Sequence, residues 1–410
     1  MNMFRSLLPP SMIGLLVVQQ SFLSVALAGD ISRSRSEPFP PRYQTESVNP
    51  SSDFLFVYIG TYTNGDSKGI YRLKLNLTSG ALSSPELVAE SVNPSFLAID
   101  PKEQFLFAVN EVGQYMNIEG GAVSAFSIDS KTGNLTFLNH QTTQGADPCH
   151  LVVDAAGKHI LVANYSGGSV AVLPFNNRGQ LGAATSFVQH VGSSINSARQ
   201  SEPHAHSINL SPDNRYALAA DLGTDEILIY QFDSQQGQLT PHDPAAARVT
   251  AGAGPRHFTF HPNGQRVYAI NELASSITVF RYHEDRGTLE TLQEISTLPK
   301  TFDGSTSTAE IQIHPSGNFV YGSNRGHDSI AIFSVNPQTG TLLSRGYVST
   351  RGQTPRNFTI DPTGRYLLIA NQTTHDIFVF AIDPLSGNLE PIGEAVAIPN
   401  PVCIRFIHPG

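Results

Sequence analysis

The chain has no tryptophan, four methionines and only two cysteines, and charged residues occupy just 14% of its 410 positions. Two cysteines cannot build a disulfide scaffold, so Cys149 and Cys403 are expected as small buried thiols rather than a bridge. Positive charge is in deficit: 25 Lys and Arg against 34 Asp and Glu leave a net −9. That balance argues against nucleic-acid or anionic-membrane binding, either of which would need a basic face. No G-x-S-x-G occurs, which removes the strained turn that presents a covalent serine nucleophile. What is plentiful is turn chemistry, with 34 Gly and 27 Pro. Few charges and many turn formers fit tightly turned antiparallel sheets.

Residues 1–28 read as an export signal: Arg5 gives a positive start, Met12–Ala28 is largely apolar, and Ala26-Leu27-Ala28 is a small-x-small cleavage site. Gln19-Gln20 interrupts the apolar stretch and makes it short for a membrane anchor. Residues 29–53, rich in Ser, Pro and Arg, are expected as a flexible leader. The mature protein is then exported, to the periplasm or the medium, and free of the membrane.

From Phe54 onward one phrase recurs: an apolar triplet, a D/H/S-P-x-G-like turn, a second strand ending near A-N, and a third strand closed by G-x-L. Full copies start at Pro94, Pro148, Ala205, Pro255, Thr308 and Pro355, a period of roughly 46 to 57 residues. Strand-built repeats of that length predict an all-β fold, a β-propeller with one blade per repeat. The phrase is out of phase at the ends. Phe54 enters at strand two, and the missing strand one is supplied by Pro401–Phe406. The two fragments complete a seventh blade, closing the ring over residues 54–410 without an open edge. An open solenoid or two smaller β domains would leave those complementary fragments without a purpose.

In a propeller the first strand of each blade lines a central channel, and ligands bind at one mouth of it. Two alignment columns surround that mouth. The first is Ser95-Phe96, Cys149-His150, His206-Ser207, Arg256-His257, Ala309-Glu310, Arg356-Asn357 and Val402-Cys403. The second is Thr61, Glu111, Tyr165, Leu222, Glu272, Arg325 and Gln372. Neighbouring columns carry Leu, Ile, Val and Phe, whereas these collect Arg, His and Glu. Converging groups of that kind point to acid–base work on an anionic ligand. A long insertion, Gly192–His206, breaks the repeat and brings Arg199, Glu202, His204 and His206 toward the same mouth. His204-Ala205-His206 lacks the further ligands a metal site needs, so neither metal nor cofactor is expected.

At these residues the chain resembles the lactonase family of seven-bladed propellers, which includes propeller-type 6-phosphogluconolactonases and carboxymuconate-lactonizing enzymes. The resemblance runs over roughly Phe54–Ile407 and is strongest in Gly252–Ile277 (GAGPRHFTFHPNGQRVYAINELASSI). Further matches are HSINLSPDNR from His206, PCHLVVD from Pro148, the stretch through Glu310 and Arg325, and TPRNFTID around Arg356. It implies hydrolysis of a sugar-type lactone, with cleft residues His150, His206, Arg256, His257, Glu272, Arg325 and Arg356. Arg256 and Arg325 are expected to clamp an anionic group through forked guanidinium bonds, assisted by Arg356, Arg199, His204 and Glu310. Glu272 or His150 is expected to be the base, with His206 and His257 as donors or shuttles. The same residues fit a cycloisomerase, and a non-catalytic propeller that binds a protein or glycan is the rival outside enzymes. A monomer acting on a small lactone is the expected working form.

Overall fold

The computed structural model describes residues 53–410; the export signal and nearly all of the leader lie outside the described residues. Among the described residues there is no helix, and seven four-stranded antiparallel sheets carry the chain. Blade 1 spans residues 97–142, blade 2 148–189, blade 3 205–248, blade 4 255–296, blade 5 307–349 and blade 6 355–397. Blade 7 is assembled from both ends: Pro401–Ile407 pairs with Phe54–Thr61, which continues to Gly69–Asn76 and Glu86–Glu90. The all-β propeller, its seven blades and the shared closing blade are as the repeat predicts. A two-stranded ribbon, Gln114–Tyr115 with Ile118–Glu119, is inserted in blade 1.

The repeat phrase has a physical reason at each point. Asp154 and Asp361 end first strands, and each uses one carboxylate oxygen to accept backbone N–H groups across the turn. Glycines such as Gly264 and Gly364 follow at φ +73° and +74°, a conformation that costs glycine nothing. The G-x-L glycine joins blades. A Cβ on Gly387 would lie 2.5 Å from the Phe319 ring of the preceding blade, and one on Gly287 2.5 Å from Tyr216. Gly80, Gly133, Gly179, Gly237 and Gly340 meet Tyr366, Phe56, Phe105, His159 and Arg266 in the same way, so the contact recurs at all seven blade junctions. Tyr58, Tyr268 and Tyr321 add a hydroxyl bond to the carbonyl of the facing glycine, Gly133, Gly340 and Gly387. Buried apolar clusters fill the space between blades, and both cysteines are buried free thiols.

The first strands of neighbouring blades contact one another around the axis, and one irregularity there positions the site. Blades 2, 3, 4 and 6 each carry a β-bulge at the start of the first strand, between Pro148 and His150, Ala205 and Ser207, Pro255 and His257, and Pro355 and Asn357. Blade 5 has a longer one between Thr308 and Ile311. An extra residue re-aims side chains out of the ladder. The residues it adds are Cys149, His206, Arg256, Arg356 and the Ala309-Glu310 pair.

Candidate functional site

At the end of the channel where the first strands begin, Glu272 is the hub. Its Oε2 lies 3.0 Å from Arg256 Nε and 2.8 Å from an Arg325 guanidinium nitrogen, and its Oε1 lies 2.8 Å from Arg199. Arg256 and Arg325 come from blades 4 and 5. Arg199 comes from the insertion, whose two ends are tied to Asp221 through His190 and the backbone of His204. Gln200 and Ser194 bind Asp225 within that loop, so Arg199 sits on a fastened segment. His206 approaches the same carboxylate, 4.0 Å from Oε2.

Burial alone would push the Glu272 pKa up, but Arg325, Arg256 and Arg199 override it and hold the group at about 2. Burial pushes Arg325 down to about 10 and lowers Arg256 as well, yet both stay charged at neutral pH. Arg256 also donates to the Ala309 carbonyl at 2.6 Å, and Arg325 to the Thr308 carbonyl at 2.7 Å. These bonds fix the two forks from the blade 5 side.

A second carboxylate stands across the mouth. Glu111 occupies in blade 1 the repeat position that Glu272 occupies in blade 4, but its partners are hydroxyls. Tyr62 lies 2.8 and 2.9 Å from its two oxygens, and Ser95 donates to Oε2. Arg356 in turn donates to the Tyr62 oxygen at 2.7 Å and lies over the Tyr62 ring at 5.2 Å. Burial raises the Tyr62 pKa, so the phenol is a neutral donor. Burial works against the charge of Arg356, but Tyr62, Glu111 and Glu272 outweigh it and its pKa is raised. The mouth thus holds four guanidiniums, Arg199, Arg256, Arg325 and Arg356, against the carboxylates of Glu111 and Glu272.

Directly below lies a layer of rings, packed edge-on or tilted against one another. His150 and His257 are 5.2 Å apart, His206 and His257 5.3 Å, and Phe96 packs on His150 at 4.3 Å. Burial, reinforced by Arg256 for His206 and His257 and by His257 and Arg405 for His150, holds all three pKa values well below 6.5. The imidazoles are therefore neutral at physiological pH. His257 Nδ1 lies 3.3 Å from Glu310 Oε2, and Asn357 donates to the same oxygen. Burial pushes the Glu310 pKa up. Beneath this layer the channel opens into a chamber of about 400 Å³ lined by His150, Glu310, Gln312 and Arg405. His150 and Glu310 thus face away from the mouth.

The structure brings Arg199, Arg256, Glu272, Arg325 and His206 into one cluster, with Arg356 beside it and His257 beneath. His204 sits at the rim, stacked on Tyr165 at 4.7 Å, while Tyr165 accepts from Arg199 at 3.1 Å. Glu202 stays exposed. Tyr62 and Ser95 were not singled out in the sequence. Tyr62 follows Thr61 of the second column, and its aromatic character at a column boundary is the only local signal. Among the described residues no three His, Cys, Asp or Glu side chains converge as a set of metal ligands.

Comparison with known proteins agrees with this architecture. Residues 56–406 match the family described as Lactonase, 7-bladed beta-propeller. A 6-phosphogluconolactonase of Bacillus subtilis is 37% identical over 352 residues, covering 86% of this chain and 98% of the relative. A 6-phosphogluconolactonase of Formosa agariphila is 35% identical over 74% of this chain and 86% of its own length. The solved structure of a periplasmic gluconolactonase of Pseudomonas aeruginosa superposes with a TM-score of 0.83 at 33% identity, over 87% of this chain and all of the other.

Proposed function

The chain belongs to the lactonase family of seven-bladed β-propellers and is a lactonase, and from that premise we propose that it opens a sugar-type lactone by direct attack of water at the mouth described above. The observation that carries this reading is the charge of that mouth: four guanidiniums against two carboxylates in a protein of net −9. A local positive site in an acidic protein draws an anionic ligand in. Arg256 and Arg325, fixed on Glu272, present forked donors to the substrate's anionic group and, as the carbonyl is attacked, to the developing oxyanion. Arg199 and Arg356 close the ring of donors.

Glu272 and His150 each carry a geometric cost as base. Glu272, with its pKa near 2 and both oxygens engaged by guanidiniums, serves better as the anchor that orients them than as an acceptor of protons. His150 faces the lower chamber and accepts the Ile208 N–H on Nδ1 at 3.4 Å, which fits a structural acceptor. His206 and His257 are neutral and close to the guanidiniums, and they fit hydrogen-bonding roles beneath the substrate.

An apolar stretch ending in Ala26-Leu27-Ala28 and the likeness to a periplasmic gluconolactonase both favour work outside the cytosol. The charge of the mouth favours an aldonolactone that carries an anionic group, of which a phosphate is one. The test is proton release by the chain starting at Gly29 on a panel of aldonolactones with and without phosphate. Hydrolysis of at least one, with a KM raised about 10- to 150-fold in Arg256→Ala, is expected, from the 1.5–3 kcal/mol of a hydrogen bond to a charged group. A folded protein inactive on every lactone would overturn the reading.

A further inference from the structure

We propose that Glu111 is the general base of the hydrolysis, acting on a water molecule held in a small cavity that it lines; this rests on the lactonase reading above. Between the mouth and the ring layer the structure encloses about 10 Å³, lined by Ser95, Glu111, Arg256, His257 and Arg356 among others. That is room for a single water, with several polar partners around it.

The two carboxylates of the mouth share a repeat position and differ in what binds them, which is how environments separate the roles of paired acids. Glu272 is paired with three cations, and an anion so compensated gives up basicity. Glu111 receives only the neutral hydroxyls of Tyr62 and Ser95. A carboxylate offers about four lone-pair directions, so one remains for the water. The Arg356 charge is held one residue back, behind the Tyr62 oxygen: it orients the carboxylate through the phenol without pairing with it. The histidines are engaged elsewhere. His206 points its ring nitrogens at Cys149 Sγ and Glu272, and those of His257 face Glu310 and Arg256.

In the step that follows, Glu111 takes one proton from the water as its oxygen bonds to the lactone carbonyl carbon, and the carbonyl electron pair moves onto oxygen beside Arg256. When the ring C–O bond breaks, that proton passes from Glu111 to the departing ring oxygen. The product acid then ionises and releases one proton to solvent. Tyr62 and Ser95 are positioning residues for this base.

The experiment is steady-state kinetics of Glu111→Gln and Tyr62→Phe across pH, on a lactone that the wild-type enzyme hydrolyses. Glu111→Gln should lose about 10²- to 10⁴-fold in kcat with KM within a few-fold of wild type, and its remaining rate should no longer fall on the acid side. Tyr62→Phe should keep that acid limb but move it. A Glu111→Gln kcat within about threefold of wild type overturns the proposal, and so does a large loss that leaves the acid limb in place. Should the Gln variant unfold, Glu111→Asp carries the test: it should retain a reduced rate with the acid limb intact, and full activity would overturn the base role. Wild-type enzyme inactive on every lactone is a separate result, against the lactonase reading itself.

Discussion

Replacing Glu272 by Gln tests the hub of the mouth as a matter of stability. The carboxylate is 5% exposed and held at about 2 rather than 4.5, a difference that corresponds to about 3 kcal/mol favouring the folded state at neutral pH. Removing one partner of a buried ion pair costs about 3–5 kcal/mol, because Arg256, 2% exposed, would keep its charge without compensation. Gln retains an acceptor oxygen for one guanidinium, so the lower figure applies. The pKa is depressed in the folded state, so the contribution is fully present above the unfolded value of 4.5 and is lost as pH falls toward 2. The measurement is urea unfolding of wild type and Glu272→Gln at pH 7 and again near pH 3. A gap of about 3 kcal/mol is expected at pH 7, with roughly half of it left near pH 3. Equal midpoints at pH 7, or a gap unchanged at the lower pH, would refute the claim that the guanidiniums hold Glu272 as an anion.

Three further outcomes follow from the ring itself. Gly387→Ala places a methyl 2.5 Å from the Phe319 ring at a φ of +74°; overpacking of about 1–3 kcal/mol plus about 1–2 kcal/mol for the left-handed backbone should lower the thermal midpoint, and an unchanged melt would count against the junction. Deleting residues 401–410 removes the strand that pairs with Phe54–Thr61 and leaves an open edge, so size-exclusion chromatography should show aggregate in place of the folded species formed by the full chain. Both thiols are buried and free, so a thiol reagent should modify neither in native protein and both after denaturation.

Most of the fold is legible because its determinants are local. An Asp, Ser or His at the end of a first strand and the turn residues after it act within a few residues of themselves, and repetition makes them visible. The end fragments are legible for the same reason, since a repeat cut out of phase has only one place to be completed. The junction role of G-x-L is hidden: its partner side chain belongs to the preceding blade, and nothing in the phrase names it. Recurring Asn residues at the ends of second strands, Asn164, Asn271 and Asn324, are likewise visible as a pattern. Their task, donating to Ser169, Ser276 and Ser329 across the next turn, is read only from the structure.

The site divides along the same line. The columns point to Arg256, Glu272 and Arg325 because blades supply equivalent positions to one mouth, but a column cannot say what faces a residue across the ring. Tyr62 and Arg356 meet over 294 residues of sequence, and Arg199 reaches Glu272 over 73. Those distant neighbours decide that Glu272 is bound by cations and Glu111 by hydroxyls. From sequence alone the two glutamates are equivalent, and Glu272, inside the strongest family match, attracts the role of base. In three dimensions its three cations argue against that role. The bulge explains why the repeat tolerates such divergence: a residue displaced from the ladder contributes little to pairing, so its side chain is free to vary from blade to blade. The chemistry of the mouth is therefore set by how seven equivalent positions differ, on a frame held by how their surroundings agree.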